Sequence, residues 1–129
     1  MFKLLSDVKK FHDKGGLSYD YDPSCEPSSE RDLQIELIEE ELDELKKAYE
    51  EGDLVECADA ITDLLYVVLG AYLRFGMWRH AAYLWAEVQK SNLTKVGAEE
   101  AENGKKKKGE DFSEPNIDRV LKSDPPDIS

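Results

Sequence analysis

Histidine and cysteine are scarce in this chain, with two of each among 129 residues. Cys25 and Cys57 are too few for a disulfide framework. With His12 and His80 far off in sequence, they also make no structural zinc cluster. Long hydrophobic runs are missing too. The longest, residues 64–73, is bounded by Asp63 and Arg74. It is too short to span a bilayer and long enough for a buried helix. The first fourteen residues, MFKLLSDVKKFHDK, lack the long apolar core of a signal peptide. These absences argue against a membrane partner and imply a cytoplasmic compartment. Basic residues are sparse where acidic ones are dense. Residues 26–63 hold 15 Asp/Glu against 3 Lys/Arg, and the rest of the chain holds 14 of each sign. The whole net charge of -12 therefore sits in that stretch. Such a surface repels nucleic acid and anionic lipid. A phosphorylated small molecule stays open as a substrate if a metal inverts the local charge.

What is present reads as one domain of helices. The length allows a real core, and a composition 40% hydrophobic and 36% charged suits a soluble helical protein. The expected fold class is all-α: a four-helix-type bundle built on a helical hairpin. Its helical core covers about 2–90, with an irregular tail over 91–129. Residues 2–14 read as a first helix, with Phe2, Leu5, Val8 and His12 on one stripe and Gly15-Gly16 as its stop. Residues 17–28 read as a loop containing Pro23 and Pro27. Ser28 or Ser29 fits the N-cap of a second helix. On it, Ile38, Leu42, Leu45 and Tyr49 follow core spacing, and Leu37, Glu41, Glu44 and Ala48 form the adjacent stripe. Gly52 fits a helix C′ position, and Asp53 fits the next N-cap with Glu56 three residues on.

The third helix should run to about Phe75, with Gly76 ending it. Ala58, Ile61, Leu65, Val68 and Tyr72 mark one face; Leu64, Val67 and Ala71 mark another. A helix apolar nearly all round should be central. Residues 78–90 read as a fourth helix with Ala81, Leu84, Trp85 and Val88 inward. From Ser91 the chain is rich in glycine, proline and lysine, and reads as loop with a short helix near 117–121.

The carboxylates carry the chemistry. Residues three, four or seven apart share a helix face, so Glu40, Glu41 and Glu44 on one helix can meet Glu56, Asp59 and Asp63 on the next. Glu39, Asp43, Glu50 and Glu51 read as solvated surface. Asp63 sits where the chain turns apolar, and a buried unpaired carboxylate costs several kcal/mol or shifts its pKa. Arg31, Lys46 and Lys47 are the only cations in the stretch, so a metal is the better partner. An all-oxygen donor set suits Mg²⁺, Mn²⁺ or Ca²⁺, and carboxylates on facing helices are an established bundle metal site. A di-iron site would want Glu-x-x-His pairs, which these helices lack.

These residues resemble the all-α nucleotide pyrophosphohydrolases, a group that includes the MazG-like proteins, dimeric dUTPases and phosphoribosyl-ATP pyrophosphohydrolases. Their signature is E-E-x-x-E on one helix and E-x-x-D on the next. Glu40-Glu41-Leu42-Asp43-Glu44 matches the first half, and Glu56-Cys57-Ala58-Asp59 matches the second. Asp63-Leu64-Leu65-Tyr66 is similar to the D-[LV]-[LI]-Y that closes the motif. If Asp63 is the motif's Asp, the usual Glu falls on Ala60, and Asp59 or Glu56 must substitute. Ser91-Asn92-Leu93-Thr94-Lys95, and Lys108-Gly109 followed by Phe112 and Pro115, resemble the small, phage-type MazG-like branch.

The resemblance implies hydrolysis of a nucleoside triphosphate to monophosphate and pyrophosphate. It implies Mg²⁺, or Mn²⁺, on Glu41, Glu44, Asp59 and Asp63 with Glu56 secondary. Glu40 would orient or deprotonate the attacking water, and Asn92, Lys95 and Lys108 would hold phosphate. A purine deoxynucleotide, dGTP or dATP, is the first expectation for substrate; dUTP and phosphoribosyl-ATP are alternatives. The resemblance also implies a homodimer or homotetramer, with the tail covering the nucleotide. A non-catalytic helical module whose acidic face binds a basic partner is the reading from a different class.

Overall fold

The structure is a computed structural model, and it describes residues 3–96 and 112–125. Among these residues every regular element is an α-helix. The order is α1 (Lys3–Gly15), α2 (Ser29–Glu51), α3 (Leu54–Arg74), α4 (Ala81–Leu93) and α5 (Ile117–Lys122). No helix among the described residues is long and apolar enough to cross a membrane. The chain forms two compact units, Met1–Arg79 and His80–Ser129.

In the first unit α2 and α3 make an antiparallel hairpin, and α1 packs on α3. Local chemistry fixes the joints. The Ser28 hydroxyl accepts the Arg31 N–H and caps α2. Gly52 takes the left-handed conformation at φ 66°, where its N–H bonds the Ala48 and Tyr49 carbonyls. Asp53 then caps α3 by accepting the Glu56 N–H at 3.1 Å. Leu5, Val8 and Leu73 are almost completely buried, and Ala48, Ala60, Leu69 and Trp78 are buried too. Each fully buried leucine or valine contributes about 1.5–3 kcal/mol from lost apolar hydration.

The loop 17–28 is held by donors that reach its backbone. Arg31 donates from NH1 to the Glu26 carbonyl and from NH2 to the Asp20 carboxylate, both at 2.6 Å. Arg74 donates to the Ser18 carbonyl, Trp78 Nε1 to the Asp20 carbonyl and Arg79 to the Tyr21 carbonyl. Both Arg31 and Arg74 are buried.

The hairpin turns different faces together from those that apolar spacing predicts. On α2 the buried residues are Arg31, Gln34 and Ala48, and Glu41 on the same line is half-buried. Tyr49 and Leu42, expected in the core, are 80% and 39% exposed. On α3 the buried residues are Ala60, Leu69, Gly70, Leu73 and Arg74, while Ile61, Leu65 and Val68 are exposed. Of the expected core faces, Leu42, Tyr49, Ile61, Leu65 and Val68 are therefore solvent-facing within this unit, while Ile38, Leu45, Leu64, Val67, Ala71 and Tyr72 are half-buried. The line that joins the two helices is polar because side chains reach from one helix to the other. α3 is nonetheless the element that both α1 and α2 pack against, as an all-round apolar helix should be.

In the second unit α4 begins at Ala81, three residues later than expected, and runs on through Leu93. Asn92 thus lies in its last turn rather than in a tail. Ala81 and Leu84 are buried as expected, but Trp85 is 62% exposed and Val88 39%. α5 is capped by Asn116 and fastened to α4 through Glu87, which accepts the Asn116 N–H and the Arg119 guanidinium, each at 2.9 Å.

Two predictions follow from these joints. Gly52 and Gly76 both need positive φ, but a Cβ on Gly52 meets nothing within 4 Å, whereas one on Gly76 overlaps the Asp22 carbonyl. Gly52→Ala should cost about 1 kcal/mol, and Gly76→Ala clearly more, read by urea unfolding. His12 is buried, with Nδ1 3.1 Å from the Val8 carbonyl. Burial and the Arg74 charge hold its pKa below the ordinary 6.5. The unfolded chain therefore takes up a proton that the folded chain resists, and stability falls as pH drops below about 6.5. His12→Gln should remove that part of the slope in melts from pH 7.5 to 5.5.

Candidate metal centre

The α2–α3 line gathers acid. Carboxylate oxygens of Glu41, Glu44 and Asp63 lie within 4.8 Å of one another. Glu41 and Glu44 come from the E-E-x-x-E stretch, one turn apart on α2, and Asp63 comes across from α3. The Glu41 Oε2 is buried and has no hydrogen-bond partner among the described residues. Burial raises the Glu41 carboxyl above its ordinary value, and a hydrogen bond with Glu44 raises it further. The charges of Glu44, Asp63 and Asp59 act in the same direction.

Asp59 is thus near enough to act on Glu41 electrostatically, though it stands outside the tight trio. Glu56 and Asp59 line a neighbouring cleft of about 270 Å³ with Glu44, Lys47 and Ala60. Ala60 lines that cleft although it is only 3% exposed, and it stands where the usual Glu would fall if Asp63 is the motif's Asp. Lys47 faces the same cleft and was not singled out by spacing; its signal is that it is one of three cations in residues 26–63. Glu40 is exposed on α2 and is not part of the trio.

Asn92 and Lys95 belong to the second unit. The Asn92 Oδ1 accepts from Lys95 Nζ at 3.4 Å, and that ammonium lies 5.4 Å from the Phe112 ring centroid. Lys108 lies outside the described residues.

The donor chemistry fits a hard divalent cation. It is all carboxylate oxygen, it comes from two facing helices, and one oxygen is buried without a proton donor among the described residues. A helical hairpin with converging glutamates and aspartates agrees with the resemblance to the all-α nucleoside triphosphate pyrophosphohydrolases. The family model for phosphoribosyl-ATP pyrophosphohydrolase matches residues 8–92, and the chain belongs to that family. It is therefore a nucleotide pyrophosphohydrolase, an enzyme that acts on phosphoanhydride bonds. The match runs from the middle of α1 to the last turn of α4 and so includes every acidic residue named above. A search of curated proteins found no match.

Without a cation the folded chain must hold three like charges together. Glu41→Gln should therefore raise the melting midpoint in EDTA. For the wild type, a divalent cation at about a hundred times its dissociation constant should add about 2.7 kcal/mol, and most of that gain should be missing in Glu41→Gln. Equal wild-type midpoints in EDTA and in excess MgCl₂ or MnCl₂, at low ionic strength, would count against a metal centre.

Proposed function

We propose that the chain hydrolyses a nucleoside triphosphate to its monophosphate and pyrophosphate, with Mg²⁺ as cofactor and Mn²⁺ as substitute. The observation that carries this reading is the trio Glu41, Glu44 and Asp63, in which one Glu41 oxygen is buried with no hydrogen-bond partner among the described residues. These three residues would hold the cation, with Asp59 joining them from one turn before Asp63 on α3 and Glu56 secondary. Asp59 is preferred because it already acts on Glu41. The bound cation supplies charge neutralisation for the phosphate oxygens.

The remaining steps belong to the chain. The trio carries the negative charge that makes binding of a triphosphate depend on the cation. Glu40, exposed beside Glu41, takes the proton of the attacking water or orients it. Asn92, Lys95 and Lys108 donate to phosphate oxygens. The first substrate candidate is a purine deoxynucleotide, dGTP or dATP, on the resemblance of the S-N-x-x-K segment to the phage-type branch. The family match favours a second, phosphoribosyl-ATP. Both require the same cut between the α and β phosphates, so the catalytic groups are common to the two. A docking module for basic partners fits less well, because such a face should be solvated rather than hold a buried lone oxygen.

The whole chain acts as a single domain in this reading, with the stretch beyond α4 covering the nucleotide. We also propose a homodimer or homotetramer. Leu54, Val55 and Tyr49 are 82%, 75% and 80% exposed, and Ile61, Leu65 and Val68 join them in the first unit. An apolar face of that extent is the mark of a protein interface. We also propose a cytoplasmic setting, on the small nucleotide substrate that the family implies.

A nucleotide panel with Mg²⁺, scored for pyrophosphate against orthophosphate, tests the reading. Pyrophosphate release is expected, with one of dGTP, dATP or phosphoribosyl-ATP preferred. Asp63→Asn should cut turnover by about a hundredfold or more, since a neutral amide binds Mg²⁺ less well and leaves phosphate charge unneutralised. Asp59→Asn should lose more activity than Glu56→Gln. Near-normal turnover in Asp63→Asn sinks the site; loss in Glu56→Gln with a silent Asp59→Asn reverses only the last assignment.

A further inference from the structure

Gln34 is a polar side chain on the interior line of α2, only 4% exposed. Its Nε2 donates 2.7 Å to the Val67 carbonyl in the middle of α3. A carbonyl has a second lone pair, so this bond adds to the helix rather than competing with it. Directly opposite stands Gly70, where an added Cβ would meet the same Nε2 at 2.7 Å. Glycine is disfavoured inside helices, and Gly70 has no positive φ that would call for one. Its place in α3 is explained by the close approach of Gln34 alone.

Sequence spacing links this contact to the acidic trio. Gln34 lies seven residues before Glu41 on α2, and Gly70 lies seven residues after Asp63 on α3. The helices run antiparallel, so the same two turns, about 10 Å, lead from the Gln34–Gly70 contact to Glu41 on one helix and Asp63 on the other. Gly52 stands eleven residues from both Glu41 and Asp63 and closes the other end. A slip of one residue at Gln34 would carry Glu41 about 1.5 Å along and 100° around its axis. Mg²⁺ tolerates little departure from octahedral geometry.

We propose that Gln34 is a positioning residue for the metal centre: its contact with Val67 and Gly70 sets the register of α2 against α3 that brings Glu41 and Glu44 onto Asp63. The proposal rests on the metal reading above. Gln34 does not touch the cation; it fixes the distance between the groups that do. Its partner Gly70 works by giving it room.

The test is calorimetric titration of the full chain with Mg²⁺ and with Mn²⁺ alone, without nucleotide, alongside melts in EDTA. The variants are Gln34→Ala, Gln34→Met, Gly70→Ala and the double Gln34→Ala/Gly70→Ala. Each single variant should weaken metal binding by about threefold to tenfold, with unchanged helical circular dichroism at saturating metal. The double variant should be weaker by less than the product of the two, because both remove one contact. Gln34→Met keeps the length and volume and loses only the donor, so it reports on the hydrogen bond even if the alanine variants fold poorly. Wild-type metal affinity in Gln34→Met and Gly70→Ala, with stability lost in EDTA, makes Gln34 merely structural and overturns the proposal. A wild type that binds neither cation overturns the metal reading and this proposal with it. A wild type that binds, with variants that bind equally, overturns this proposal alone.

Discussion

Everything in the first unit depends on how two antiparallel helices meet along a polar line. Most helix pairs hide apolar side chains between them. Here α2 turns Arg31, Gln34 and Glu41 toward α3, and α3 answers with Gly70 and the Asp63 carboxylate. Two of these inward groups are satisfied at once: Arg31 by carbonyls and Asp20, Gln34 by Val67. Glu41 is not, and it is left with a buried oxygen and like charges beside it. Polar contacts of Arg31 and Gln34 thus close one end of the hairpin, and the unsatisfied Glu41 beside Glu44 and Asp63 marks the site.

Much of this was legible in the sequence. Ser28, Gly52, Asp53 and Gly76 are residues whose side chains or missing side chains do one local job, and each stands where spacing placed it. The E-E-x-x-E stretch on α2 facing acid on α3 was legible for the same reason: helical period fixes what shares a face. The inward face itself was not. Apolar period singles out the stripe that avoids water, and it does not say whether the neighbour is another helix of the same chain. Leu42, Tyr49, Ile61 and Leu65 keep that stripe, yet they are exposed within their unit. Trp85 on α4 repeats the lesson. Gln34 gave no signal because a lone glutamine on a glutamate-rich helix looks like surface until its partner glycine, 36 residues on, is seen beside it.

The two units divide the chemistry. The acidic groups and their supports all lie in Met1–Arg79, while the candidate phosphate donors Asn92 and Lys95 lie in His80–Ser129. The second unit has its own logic. Glu87 is held below the ordinary carboxylate range by the Asn116 N–H first, and by Arg119, and so anchors α5 to α4. The Thr94 hydroxyl accepts the Ser113 N–H, which ties the end of α4 to the stretch that leads into α5. A chain of cation, ring and amide at Lys95, Phe112 and Asn92 is fixed close to that tie.

The loop between α1 and α2 is gripped in an unusual currency. Arg31, Arg74, Trp78 and Arg79 reach the carbonyls of Glu26, Ser18, Asp20 and Tyr21. A carbonyl is the one acceptor that every amino acid brings, whatever its side chain. Most residues of the loop could therefore drift through evolution, changing charge, size or recognition, without loosening their own anchorage. The donors have no such freedom: a lysine in place of Arg31 could not reach two carbonyls and a carboxylate at once. Diversification in this lineage should thus run through the gripped segment, while the residues that grip it stay constant.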